Sequence, residues 1–216
     1  MALIETLPRN LDQYSRITIP EPTVNRFSRE EIHTLYSAAS ERTKMFMLLG
    51  LNCGMGQADI SDLRVGEVAI EESRIVRKRT KTGVHSEFAL WPRTVEMLKL
   101  HGNLDGEPTD RVFLSKSGHP LVREYFVDDK FKRTDAIRSA FFRLMKKTKL
   151  PNHRGFYSLR KTAASEIEAI DPAVTEMFLA HSEKGMKRHY AERDWNRLGS
   201  AIMELQKASF PSFNLL

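Results

Sequence analysis

From Phe27 onward, apolar residues recur mostly at helical spacing. Ser28 and Glu31 stand three apart, as in a capping box, and Ile32, Leu35, Tyr36 and Ala39 follow at helical intervals, which predicts a first helix. A second, buried helix is predicted through Met45, Phe46, Leu48, Leu49 and Leu51, interrupted progressively by Gly50, Gly54 and Gly56 before a short helix ending near Leu63. Between Glu67 and Leu90 the pattern changes to β-branched runs broken at Glu72-Ser73 and Thr82-Gly83, which reads as a small antiparallel sheet. Pro92 then opens a helix carrying Val95, Met97, Leu98 and Leu100, closed at Gly102-Asn103. Val112 to Leu114 is either one more short strand or an extended connection.

The remainder reads as helical. Ile137, Phe141, Leu144 and Met145 form one core stripe. Further helices are predicted over 158–170, from Pro172 to about Leu179, over 184–190, and from Trp195 with Leu198, Ile202 and Leu205 on one face. The pattern shows no internal repeat. Residues 1–26, with Pro8, Pro20 and Pro22, read as an extended lead-in arm, and 27–216 as one domain, mainly α with a small antiparallel β-sheet (α+β).

At 216 residues, 41% hydrophobic and 29% charged, the chain can build a proper core, and disorder is a poor reading. No apolar run approaches the roughly 18 residues of a membrane span. The N-terminus lacks the basic start and long apolar stretch of a secretory signal, which predicts an intracellular, cytoplasmic protein without a membrane partner. Cys53, the single cysteine, makes neither an internal disulfide nor a cysteine-pair zinc site. The net charge of +6 favours a polyanionic partner. Arg74, Arg77, Lys78, Arg79 and Lys81 form one basic cluster, and Arg143, Lys146, Lys147, Lys149 and Arg154 a second. Each is either a solvated face or a phosphate-contacting surface.

Three short stretches carry chemistry in this order: RTKTG at 79–83, YSLRKTAAS at 157–165 and LAHSEKGMKRHY at 179–190. Together they resemble the tyrosine recombinases, the phage-integrase family, which joins a sheet lysine, a His-x-x-Arg box, a Leu-Gly-His segment and a tyrosine nine residues after that histidine. Here the separation is 190 − 181 = 9, and the chain order is kept. The resemblance implies the family's catalytic-domain fold over roughly Phe27 to Leu205. It implies double-stranded DNA as partner and a site made of Lys81, Tyr157, Arg160, Lys161, His181 and the nucleophile Tyr190. Recombination would run through a covalent 3′-phosphotyrosine that conserves bond energy, so neither metal nor other cofactor is expected.

The residue types suit that chemistry. A phenol with a pKa near 10 is a poor nucleophile and needs neighbours that stabilise charge. Arg160 offers a planar fork to phosphate oxygens, while His181 and Lys81 can handle protons, Lys81 at the departing 5′-oxygen as in the family. Arg77, Lys78, Arg79, Lys146, Lys147 and Arg154 would contact DNA phosphates. His153 and His189 read as structural or phosphate-contacting, and Trp91, Trp195 and Met55 as packing.

Two departures stand out. The family's first arginine falls on Gly56, and the box histidine is replaced by Tyr157. Loss of a preorganised charged donor costs about 10²–10³ in rate unless another group substitutes. Gln57, Arg64, Lys78 and Arg154 are the candidates, and backbone N–H groups at the helix start could receive a phosphate oxygen. Ala180 in place of the usual glycine reads as minor. Family members also carry an N-terminal helical clamp domain, so the chain is expected to be a catalytic-domain fragment or to bind with half a clamp. The C-terminal helix and the apolar tail through Leu216 would dock on a neighbouring protomer. The rival readings are a recombinase-fold DNA-binding protein with lost or weakened cleavage, and a basic helical module with no DNA role.

Overall fold

A computed structural model describes residues 25–78, 83–151, 154–181 and 193–214. Residues 1–24 of the lead-in arm expected over 1–26, and the helix expected over 184–190, lie outside the described residues.

Helix α1 (Arg29–Ala38) starts where the capping box places it: Ser28 N–H donates to Glu31 Oε2 at 2.9 Å, and Glu31 N–H to Ser28 Oγ at 3.2 Å. It buries Ile32, Leu35 and Tyr36. Helix α2 (Glu41–Asn52) buries every residue from Met45 to Asn52, so it is a central helix without a polar face. Gly50 does not interrupt it. A Cβ there would lie 3.4 Å from Leu159 Cβ and Phe156 Cζ, so the glycine is explained by close approach to α6 (Tyr157–Ile170). The break comes at Gly54, whose φ of +58° turns the chain out of the helix. The short helix α3 (Gln57–Ser61) follows.

Strands β1 (Val68–Ala69), β2 (Arg74–Lys78) and β3 (His85–Ala89) form the expected antiparallel sheet, in register Ile75↔Phe88 and Arg77↔Ser86. Helix α4 (Pro92–His101) begins at Pro92, with Leu100 exposed rather than in the core. Asn52 holds this junction: its side chain donates to Ala89 O and accepts from Trp91 N–H, both at 2.8 Å, so a fully buried amide has a partner at each end. Val112–Leu114 is an extended connection rather than a strand, flanked by isolated bridges at Arg111 and Leu114.

The reading of everything beyond that point as helical is corrected by a second antiparallel pair, β4 (Val122–Val127) and β5 (Lys130–Asp135). Asp128 and Asp129 both take positive φ at its two-residue turn, as a type I′ hairpin requires. The hairpin is largely exposed, so neither strand shows the alternation by which strands are recognised.

Helix α5 (Ala136–Thr148) buries the predicted stripe, and α6 packs on α2. A 3₁₀ turn at Pro172–Val174 leads into α7 (Thr175–Phe178). Helix α8 (Trp195–Ser209) buries Leu198, Ile202 and Leu205 completely, and Trp91 Nε1 donates to Ile202 O at 2.9 Å. Trp91 is core, whereas Trp195 is only half-buried. Phe210 and Phe213 close over Trp91, and Phe213 stacks on Tyr36 at 4.2 Å. Helix α8 packs on α6 and β3 of its own domain, and Phe213 sits against Tyr36 and Trp91, which counts against the expected docking of the helix and tail on a second protomer. No helix among the described residues is long and apolar enough to cross a membrane.

Candidate active site

Three chain segments meet at Arg160, which projects from the first turn of α6 and is 3% exposed. Its guanidinium donates to Gly54 O in the turn after α2 and to Leu179 O at 2.6 Å in the turn after α7. The box arginine is thereby tied to the stretch leading to Gly56 and to the segment bearing His181. Arg160 also lies 5.9 Å from the Tyr157 ring.

His181 Nδ1 is 2.8 Å from Glu176 Oε2, on α7. With Glu176 accepting, Nδ1 is the donor of this pair, which leaves Nε2 as the ring nitrogen available to a substrate. The preceding residue, Ala180, has φ +47°, so a side chain there is strained by about 1–2 kcal/mol relative to glycine. The substitution that read as minor is costly because the turn needs left-handed backbone.

Gly56 caps α3 and is buried. A Cβ on it would make ordinary van der Waals contact at 3.5 Å with the ring of Tyr157 and with Asp59 Oδ2, so the two departures from the family pattern are neighbours in space. The Gly56 N–H already donates to Asp59 Oδ2 at 3.1 Å. The suggested use of this helix start for a phosphate oxygen therefore meets an amide already paired with a carboxylate.

The four groups proposed to replace the missing arginine fare unevenly. Arg154 forms a two-pronged pair with Glu31, at 2.5 and 2.6 Å, donates to Arg26 O at 2.8 Å and stacks over Phe27. It is a buried strut that seats α1, and neither substitutes for the arginine nor forms part of an open DNA-contacting surface. Arg64 donates to Thr109 O and Asp62 Oδ1. Gln57 is half-buried at the start of α3, and Lys78 is exposed at the end of β2.

Among the other expected contacts, Lys146 is exposed over the Phe142 ring, and exposed Lys147 donates to Ala38 O at the end of α1. Lys161 is exposed, and Tyr157 is 46% exposed at the mouth of the site. Arg79, Lys81, His153, His189 and Tyr190 lie outside the described residues.

Arg77 is placed differently from its reading as a surface phosphate contact. It is 4% exposed and points inward from β2. With Arg160, Asp59, Cys53, Ser86 and Ala180 it lines one narrow crevice. Burial pushes the Cys53 thiol well above its ordinary pKa and outweighs the opposing charge of Arg77. The signal that could have found Arg77 is strand periodicity: Ile75 and Arg77 share a face, opposite Val76 and Lys78.

This geometry has counterparts of similar fold. The integrase from mycobacterium phage Brujita aligns over 86% of this chain and 59% of its own, at 15% identity and a TM-score of 0.62. The XerA recombinase aligns over 87% and 65%, at 20% identity and a TM-score of 0.57. The chain thus spans less than two thirds of either. The lambda integrase catalytic core is covered over 95% of its length by 73% of this chain, at 19% identity and a TM-score of 0.54. No curated protein sequence matches. The model of the phage integrase family matches residues 25–197, which takes in the box, Arg160, His181 and Tyr190, and the chain belongs to that family.

Proposed function

We propose that this domain performs site-specific DNA recombination by cleaving and rejoining duplex DNA through a covalent 3′-phosphotyrosine. The observation that carries the reading is the convergence on Arg160: its bonds to Gly54 O and Leu179 O gather the box, the turn before Gly56 and the His181 segment at one site. Arg160 holds a non-bridging oxygen of the scissile phosphate in its fork. His181, oriented by Glu176, accepts the Tyr190 phenol proton at Nε2 as the bond to phosphorus forms. Tyr190 Oη attacks phosphorus and displaces the 5′-oxygen, which Lys81 protonates. The 5′-hydroxyl of a partner strand then reverses the step, releasing the tyrosine. Lys161 and Tyr157 donate hydrogen bonds to the DNA phosphates beside the site, and Lys78, Arg79 and Lys146 add electrostatic contacts. Self-association on DNA, as strand exchange between two duplexes requires, belongs to the same reading; crystal structures of lambda integrase include a dimer on a core site and a tetramer on a Holliday junction.

The test uses the full chain and a duplex enriched from random sequence by the protein itself, interrupted by nicks so that cleavage traps the product. A denaturant-resistant protein–DNA adduct should form slowly and be absent in Tyr190→Phe. The second reading, DNA binding without cleavage, is favoured by Gly56 in place of the first arginine and by Tyr157, its neighbour, in place of the box histidine. Binding with no adduct from the native chain decides for it.

A further inference from the structure

A buried arginine is expensive unless it is fully paired or has a task. Arg77 is incompletely paired. Its Nη1 donates to Asp59 O at 2.8 Å, but its Nε has no hydrogen-bond partner and approaches Glu67 Oε1 only to 3.5 Å. Directly across the sheet, Ser86 is 1% exposed and its Oγ also lacks a hydrogen-bond partner. These two donors belong to the crevice that Arg160 lines from the opposite element. The rest of the lining is apolar apart from Asp59, so one guanidinium from α6, a second from β2 and the unspent donors on the β2–β3 side are the groups there that an anion would satisfy.

The position relative to Gly56 is specific. Asp59 accepts the Gly56 N–H through its carboxylate and the Arg77 Nη1–H through its carbonyl. Arg77 is therefore fastened to the same turn of α3 from which a side chain at position 56 would project. We propose that Arg77 is the second phosphate clamp of this site, supplying from β2 the guanidinium that Gly56 lacks, with a non-bridging oxygen of a DNA phosphodiester as its ligand. The inference rests on the recombination reading for its effect on rate, but not for its effect on binding. The opposing account is a strut between β2 and α3, and the two predict different results.

The experiment compares the native chain with Arg77→Met and Arg77→Lys on the enriched duplex, made with an ordinary phosphate or an uncharged methylphosphonate at the cleaved position. As a clamp, Arg77→Met should slow adduct formation about 10²–10³-fold on phosphate, as losing a preorganised donor does. On methylphosphonate, which has no oxyanion to neutralise, it should come within about tenfold of the native chain. Installing Gly56→Arg beside Arg77→Met should recover part of the rate on phosphate. Adduct formation at the native rate in Arg77→Met, or equal slowing on both substrates together with a lowered melting temperature, overturns the proposal in favour of the strut. If Arg77→Met does not fold, Arg77→Lys decides by the same comparison of substrates, since it keeps the charge and loses the fork. If the native chain forms no adduct at all, the recombination reading fails by itself. The clamp is then judged by binding: the Arg77 variant that folds should bind the duplex more weakly, and Arg77→Met should lower the slope of log affinity against log salt by about 1. Unchanged affinity overturns it.

Discussion

Replacing Gly54 by alanine tests how the turn after α2 positions Arg160. The φ of +58° costs an L-residue about 1–2 kcal/mol. The new Cβ would also fall 2.9 Å from Phe178 Cε1 and 3.3 Å from Phe178 O, an overpacking that costs about 1–3 kcal/mol. A loss of about 3 kcal/mol is expected, or roughly 6–12 °C in melting temperature for a chain of this size. Because Gly54 O accepts from Arg160, adduct formation should slow as well. Urea titrations of Gly54→Ala, Phe178→Leu and the double variant separate backbone strain from the clash. Phe178→Leu removes the ring atoms that meet the Cβ, so the double variant should be more stable than additivity allows by about 1 kcal/mol. Gly54→Ala within about 0.5 kcal/mol of the native chain, or strict additivity in the cycle, would refute the reasoning.

Phe213→Ala should lower stability by about 3 kcal/mol, because the ring stacks between Tyr36 and Phe210. Its melting temperature should not change with protein concentration; a concentration-dependent loss would place the tail on a second protomer. Lys78→Ala should lower the salt slope of duplex binding by about 1 and leave urea stability intact, whereas Arg154→Met should do the reverse, losing about 3–5 kcal/mol by stranding Glu31. Anisotropy titrations across salt, paired with urea titrations, read both. Burial alone would raise the Glu166 carboxyl, but hydrogen bonds from Ser209 and Arg29 outweigh it and hold the pKa below its ordinary 4.5. Its stabilisation is therefore complete above that value and lost as pH falls through the lower folded pKa, so Glu166→Gln should flatten the acid limb of stability against pH. An acid limb as steep as the native one would contradict this.

The sequence settled those features that one stretch of chain determines alone. The Ser28–Glu31 box starts α1 because both partners lie within one turn, and α2 is central because apolar residues occupy all its faces. The antiparallel β1–β2–β3 sheet, the Pro92 start of α4 and the stripe of α5 follow in the same way from local periodicity. The spacing of the box arginine, His181 and Tyr190 was legible in the chain, and with it the family. The β4–β5 hairpin was not, because exposed strands impose no hydrophobic alternation.

Tertiary structure alone decided what each charge does. Arg77, Lys78 and Arg154 all read as parts of solvated or DNA-contacting basic clusters. Burial separates them: Arg154 is consumed by Glu31 and Arg26, Lys78 remains in water, and Arg77 turns inward beside Arg160. Likewise the apolar face of α8 announced that a groove was needed, but only the folded chain located it, on α6 and β3 of the same domain, with Trp91 and Tyr36 meeting the phenylalanines that follow. Periodicity and caps depend on neighbours a few residues apart, and the sequence therefore carries them. The surroundings of a charge or an apolar face depend on residues more than a hundred positions away, such as the Arg154–Glu31 pair, and only the folded chain brings these together.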